Sequence, residues 1–161
     1  MGEKFAGSEV LQMAVEIEKK GKAFYGSVVS VVKDEKTRDI FQYLADEEVR
    51  HEKTFRKMLA DVGTKTDQSP YDDMEMILYF RSLIDRKIFP TEEEGISMKK
   101  EIGDPAVAIR IVLSLEKDTI LFFNELLHVS EEKDHQVIER IIDEEREHIR
   151  RILRFKTELR V

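Results

Sequence analysis

Residues 44–55 read LADEEVRHEKTF and residues 141–152 read IIDEEREHIRRI. Each stretch carries Asp-Glu-Glu, two further residues and a histidine. Around the first, positions 41, 44, 48, 51, 55, 58 and 62 advance by alternating steps of three and four. All are apolar except Glu48 and His51. Around the second, positions 138, 141, 145, 148, 152, 155 and 159 do the same, interrupted only by Glu145 and His148. Such steps trace one face of an α-helix. Acids and imidazoles therefore fall twice on faces patterned for burial.

Working outward, each stretch is the second helix of a pair. Helix A is expected from about Ser8 to Lys33, with Leu11, Ala14, Val15, Val28 and Val32 on its apolar face. Helix B follows from about Asp34 and stops near Gly63, a helix terminator. Helix C starts at Asp104-Pro105, an N-cap acid before a proline at the first helical position. Its stripe includes Ile109, Val112, Leu113, Ile120, Phe123 and Leu127. Ser130 is placed to cap helix D. A joins B, and C joins D, by short connections, so each pair forms an antiparallel hairpin. The B–C connection, about 63–103, is long enough to cross the whole bundle. The fold class is all-α: a ferritin-like four-helix bundle, two hairpins and a long crossover, in one domain spanning 1–161. The crossover holds short extra helices. Met74, Ile77, Leu78, Ile84 and Ile88 outline an amphipathic one, expected to pack on the bundle or form a homodimer contact. Thr91 and Glu94 form a capping box for another.

Composition agrees. The 161 residues are 41% hydrophobic and 38% charged, with 3 prolines and 7 glycines, which suits long amphipathic helices. The formal net charge of −7 gives no support to nucleic-acid binding. There is no cysteine, so disulfides, thiolate catalysis and cysteine-bound metals are excluded. No stretch approaches the roughly 20 apolar residues of a membrane span, and the N-terminal residues carry no apolar signal core. The expected location is cytoplasmic, without a membrane.

The two hairpins are copies. Glu116 follows Glu18 by 98 positions, and Glu145 and His148 follow Glu48 and His51 by 97. EIEKKGKAFY on helix A matches SLEKDTILFF on helix C. At about 100° per residue, Glu18 and Tyr25 point almost the same way, while Glu16 lies about 200° from Glu18 and faces water. Glu47 and Glu144 flank the inward stripes, and Asp46 and Asp143 face out. Four carboxylates and two imidazoles thus project into one bundle at matching depth. Burying one uncompensated ion costs several kcal/mol, against a total stability of about 5–15 kcal/mol. The carboxyls can take up protons, or two divalent cations can supply four positive charges. One Glu from each of two helices and Glu-x-x-His from each of the other two is the ligand set of di-iron and di-manganese bundles.

On these six residues the chain resembles the ferritin-like di-iron carboxylate proteins, and most closely their rubrerythrin-like branch. The resemblance implies that Glu48 and Glu145 bridge two metals, that Glu18 and Glu116 are terminal ligands, and that His51 and His148 bind one metal each. Tyr25 matches a tyrosine found beside the ligands in such proteins and joins the six as a candidate catalytic residue. There are departures. The counterpart of Tyr25 is Phe123. Rubrerythrins have a further carboxylate on helix C, where this chain has Thr119. Their cysteine-rich rubredoxin domain is absent.

The resemblance favours two iron ions; manganese suits the ligands, and zinc can occupy them. It implies a di-iron oxidoreductase acting on peroxide or dioxygen, peroxidase-like and relevant to oxidative stress, fed by a separate electron-donor protein. An iron-binding or ferroxidase-type protein is the alternative, and a metal-free helical interaction module is a third. Plainer readings cover the remaining features. Met58, Met74 and Met76 read as packing residues, His128 and His135 as solvated, and Glu92-Glu93-Glu94 as a helix start.

Overall fold

The computed structural model describes residues 7–62, 88–129, 132 and 135–160. Four long helices dominate them: α1 (Gly7–Val31), α2 (Glu35–Val62), α5 (Pro105–Val129) and α6 (His135–Leu159). Two short ones, α3 (Glu92–Ser97) and α4 (Lys99–Ile102), lie between α2 and α5. A 25-residue helix is about 38 Å long, enough to place a mid-helix residue well away from both bundle ends. There is no strand among the described residues. None of their helices is long and apolar enough to cross a membrane.

Local chemistry sets the helix starts. Asp34 Oδ2 accepts from the Thr37 backbone N–H at 2.8 Å and from the Thr37 hydroxyl at 2.7 Å. These bonds satisfy donors that the first turn of α2 leaves open. Asp104 Oδ1 does the same for Ala106 at 2.8 Å and Val107 at 3.4 Å, with Pro105 at the first helical position of α5. The capping box at α3 is formed: Thr91 Oγ1 accepts from the Glu94 N–H at 3.2 Å, and Glu94 Oε2 accepts from the Thr91 N–H at 2.8 Å. Ser130, and the helix expected over 74–88 apart from Ile88, lie outside the described residues.

The described helices form the two antiparallel hairpins expected, joined through the segment that holds α3 and α4. Helix α1 packs along α2 and α5 along α6, while α2 also touches both helices of the second hairpin. The hairpins close around Leu11, Val28, Phe41, Leu44, Val112, Phe123, Ile141 and Ile152, all buried. Val29, Met58, Leu113, Ile120 and Phe155 are only half-buried at the margin of this core.

One difference bears on the site. Helix α1 buries a second stripe, Ile17, Phe24 and Ser27, which the single inward face of a four-helix bundle does not require. Helix α3 packs against α1. Gly95 makes the approach possible, since a Cβ there would overlap Ser27 Oγ and press on Phe24. Ahead of α3, the buried Phe89 ring stands edge-on to Tyr25, with centroids 5.5 Å apart, and 6.5 Å from Phe24.

Candidate metal centre

All six acids and imidazoles singled out by the repeat are buried, none more than 6% exposed. Glu18 comes from α1, Glu48 and His51 from α2, Glu116 from α5, and Glu145 and His148 from α6. Apolar neighbours one turn away hold each at its depth: Leu44 and Phe55 on α2, Ile141 and Ile152 on α6. Glu16, Asp46 and Asp143 are exposed, and Glu16 pairs with Lys20 at 3.5 Å. His128 is exposed, whereas His135 is half-buried.

The two imidazoles stack face to face, centroids 4.7 Å apart and planes within 7°. Both turn Nδ1 toward carboxylates. His51 Nδ1 lies 3.4 Å from Glu18 Oε2 and 3.6 Å from Glu145 Oε1. His148 Nδ1 lies 3.1 Å from Glu116 Oε2 and 3.2 Å from Glu145 Oε2. Glu145 therefore faces both rings with different oxygens. Glu48 is shared in another way. One atom each from Glu18, Glu48 and His51 lie within 4.8 Å of one another, and so do atoms of Glu48, Glu116 and His148. The result is two half-sites with Glu48 and Glu145 common to them.

The opposite ring edges cross the repeat. His51 Nε2, from α2, lies 3.6 Å from Glu144 Oε2 of α6. His148 Nε2, from α6, lies 3.9 Å from Glu47 Oε2 of α2. These are charge contacts longer than a hydrogen bond, and His148 Nε2 has no hydrogen-bond partner. The two copies differ. Glu47 is nearly buried and ion-paired with Arg50, whereas the Glu144 side chain is 62% exposed. Glu47, His51 and His148 also bring three donor atoms within 4.8 Å.

Tyr25 breaks the symmetry at the other end. Its hydroxyl donates to Glu116 Oε1 at 2.5 Å. The matching position holds Phe123, which has no hydroxyl, and both Glu18 oxygens lack a hydrogen-bond partner. Burial, with the negative charges of Glu116 and Glu48 nearby, holds the Tyr25 phenol well above its ordinary pKa, so it stays protonated. Thr119, three residues after Glu116, is buried and turns its hydroxyl back to the Leu115 carbonyl at 3.1 Å. It brings no charge to the centre.

The electrostatics are those of a site built for cations. Burial pushes the Glu18 and Glu48 carboxyls well above the usual carboxylate range, and the Glu18 charge pushes Glu48 further. Burial likewise raises Glu116 to about 7 despite its hydrogen bond with His148. At Glu145, burial is outweighed by the charge of His148, which holds the carboxyl well below the usual range. Burial pulls His148 down, but Glu145 and Glu116 outweigh it and push the imidazole up to about 12. Without metal, the centre must therefore balance its charge with protons. Unpartnered buried atoms remain all the same, including both Glu18 oxygens, Glu145 Oε1 and His51 Nδ1. Four carboxylates, two imidazoles and these unmet lone pairs fit two divalent transition-metal ions of the iron or manganese type.

Gly21 and Phe89 meet beside Glu48, and the inward stripes of the sequence do not include them. The only sequence signal was a lone glycine inside an otherwise helical run. The family model described as Rubrerythrin matches residues 9–156. A solved structure from Thermotoga maritima, carrying the provisional description ferritin-like diiron-carboxylate protein, is 27% identical. The similarity covers 98% of this chain and 99% of that one, with a TM-score of 0.60. No curated protein matches the sequence.

Proposed function

The chain belongs to the rubrerythrin family, and from that premise we propose that it is a dinuclear non-haem iron oxidoreductase that reduces hydrogen peroxide with electrons from a separate donor protein. One observation carries the reading: two Glu/His half-sites, stacked through their imidazoles and sharing Glu48 and Glu145, inside an otherwise apolar core. Glu18, Glu48, His51, Glu116, Glu145 and His148 would hold the two ions. When bound, a ferrous pair supplies two electrons together. Those two electrons, with two protons, would balance the reduction of one peroxide to two waters, and a separate donor protein would be their source.

The chain's own residues select and orient. Phe41, Phe55 and Phe123 are buried, with the Phe55 ring 5.8 Å from His51 and the Phe41 ring 5.9 Å from Tyr25, and such apolar surroundings favour a small oxidant over an organic substrate. Tyr25 holds Glu116 through Oε1 and leaves Oε2 facing His148. Glu144 and Glu47 place negative charge 3.6 and 3.9 Å from the far ring edges of His51 and His148. Thr119, bonded within its own helix, cannot act as the additional carboxylate of a full rubrerythrin, so turnover is expected to be slower.

The test is stopped-flow mixing of anaerobically loaded di-ferrous protein with each oxidant. Peroxide is expected to oxidise it at about one equivalent per site, and faster than dioxygen does. Rapid reaction with dioxygen and none with peroxide would replace this reading by a ferroxidase or oxygen-activating one.

A further inference from the structure

Gly21 sits in the middle of α1, three residues after Glu18 and four before Tyr25, and it is buried. Glycine is the poorest helix former after proline, so alanine would suit the helix better. The missing side chain leaves room for something beyond the helix. A Cβ built on Gly21 would lie 3.0 Å from both Cδ and Oε1 of Glu48, and 3.1 Å from Cζ of Phe89. These are closer than the roughly 3.5–4.0 Å of a comfortable carbon contact. Phe89 need give only a few tenths of an ångström to admit a methyl group, and, 5% exposed and braced against Tyr25 and Phe24, it can give little more. The segment carrying it leads into α3, which Gly95 allows to lie tight on α1.

We infer that Gly21 is a positioning residue: by presenting no side chain, it seats the Glu48 carboxylate against the α1 backbone where both half-sites share it, with Phe89 of the crossover as the backstop. This rests on the reading of Glu48 as a ligand common to two ions. In the metal-free chain the carboxylate is the free end of a flexible side chain and can swing aside for a methyl group. Held by metal it cannot. A methyl at position 21 should therefore harm metal binding far more than it harms the fold. The same helix supplies the control. Gly26, five residues on, is exposed, and a Cβ there would meet nothing within 4 Å.

The experiment uses the full chain as wild type, Gly21→Ala and Gly26→Ala. Each is titrated anaerobically with ferrous iron and with cobalt(II), whose visible absorption reports ligand geometry. Each is also melted without metal. Wild type and Gly26→Ala are expected to take two ions with equal affinity. Gly21→Ala is expected to lose about tenfold or more in affinity, the range seen when support around a metal ligand is disturbed. Its cobalt spectrum should change, and its metal-free melting temperature should stay within about 3 °C of wild type. A wild type that binds two ions beside a Gly21→Ala chain of equal affinity and unchanged spectrum overturns the inference and leaves the iron reading standing. A Gly21→Ala chain that no longer folds without metal also overturns it, because the metal-free carboxylate was required to yield. A wild type that binds no pair of ions removes the iron reading, and this inference with it.

Discussion

Replacing Glu48 by glutamine should change stability in opposite directions with and without metal. The substitution keeps the side chain's shape and removes its charge. In the metal-free chain, Glu48 is almost fully buried beside Glu18; burial pushes both carboxyls up, and the charge of Glu18 pushes Glu48 further. A carboxyl whose folded pKa is raised contributes stability below its unfolded value, and that contribution is lost as pH rises through the folded pKa. At neutral pH the glutamine variant is therefore the more stable metal-free protein, and the gap closes as pH falls toward 4.5. With metal the order inverts. An ion at a hundredfold excess over its dissociation constant stabilises the fold by about 2.7 kcal/mol, so two contribute about 5 kcal/mol. For a chain of this size, 1 kcal/mol is about 2–4 °C, so loading should raise the wild-type melting temperature by about 10–20 °C. Glu48 serves both half-sites, so Glu48→Gln should keep less than half of that rise. Thermal unfolding followed by circular dichroism, anaerobically with ferrous iron and then with chelator between pH 5 and 8, measures every quantity. An unchanged metal-induced rise in Glu48→Gln would refute the reasoning. So would an equal loss in Glu16→Gln, whose carboxylate faces water.

Three further expectations follow from the same geometry. Loading the metal-free protein at pH 6 should release protons, because Glu116 (raised to about 7) and His148 (pushed up to about 12) hold them there; calorimetry in buffers of different ionisation enthalpy counts them. Tyr25→Phe removes the donor to a buried carboxylate and should cost about 1–3 kcal/mol in chemical denaturation. Ultraviolet titration of the wild type should also show one of its four tyrosines resisting ionisation until the fold is lost. Asp34→Ala removes the α2 cap and should cost about 1 kcal/mol at neutral pH. Because Asp34 is lowered by its bonds to Thr37, the difference from wild type should vanish as pH falls below the ordinary aspartate value of 3.8.

The centre was legible where burial and periodicity coincide. Glu48, His51, Glu145 and His148 interrupt stripes that are otherwise apolar, so they fall on the face a helix turns to the core and not on its solvated side. Glu18 and Glu116 emerged only because the hairpins repeat and because angle along the helix separates Glu18 from Glu16. What the pattern could not carry was contact from outside the four helices. Ile17 and Phe24 stand on a second buried side of α1, and at Phe24 that side is covered by α3, an element outside the four helices. Phe89 lies in an irregular segment with no periodicity to read. Glu47 and Glu144 occupy equivalent places in the repeat yet differ sharply in exposure. Identical motifs can sit in unlike surroundings once one copy is paired with Arg50.

The most direct test of the central claim is metal analysis of the chain purified anaerobically from iron-replete cells, beside a Glu48→Gln, Glu145→Gln double variant. Two ions per chain in the wild type, and loss of that pair in the variant, is the predicted result. At most one ion in a fully loaded wild type, or an undiminished pair in the variant, would contradict a dinuclear centre at these six residues.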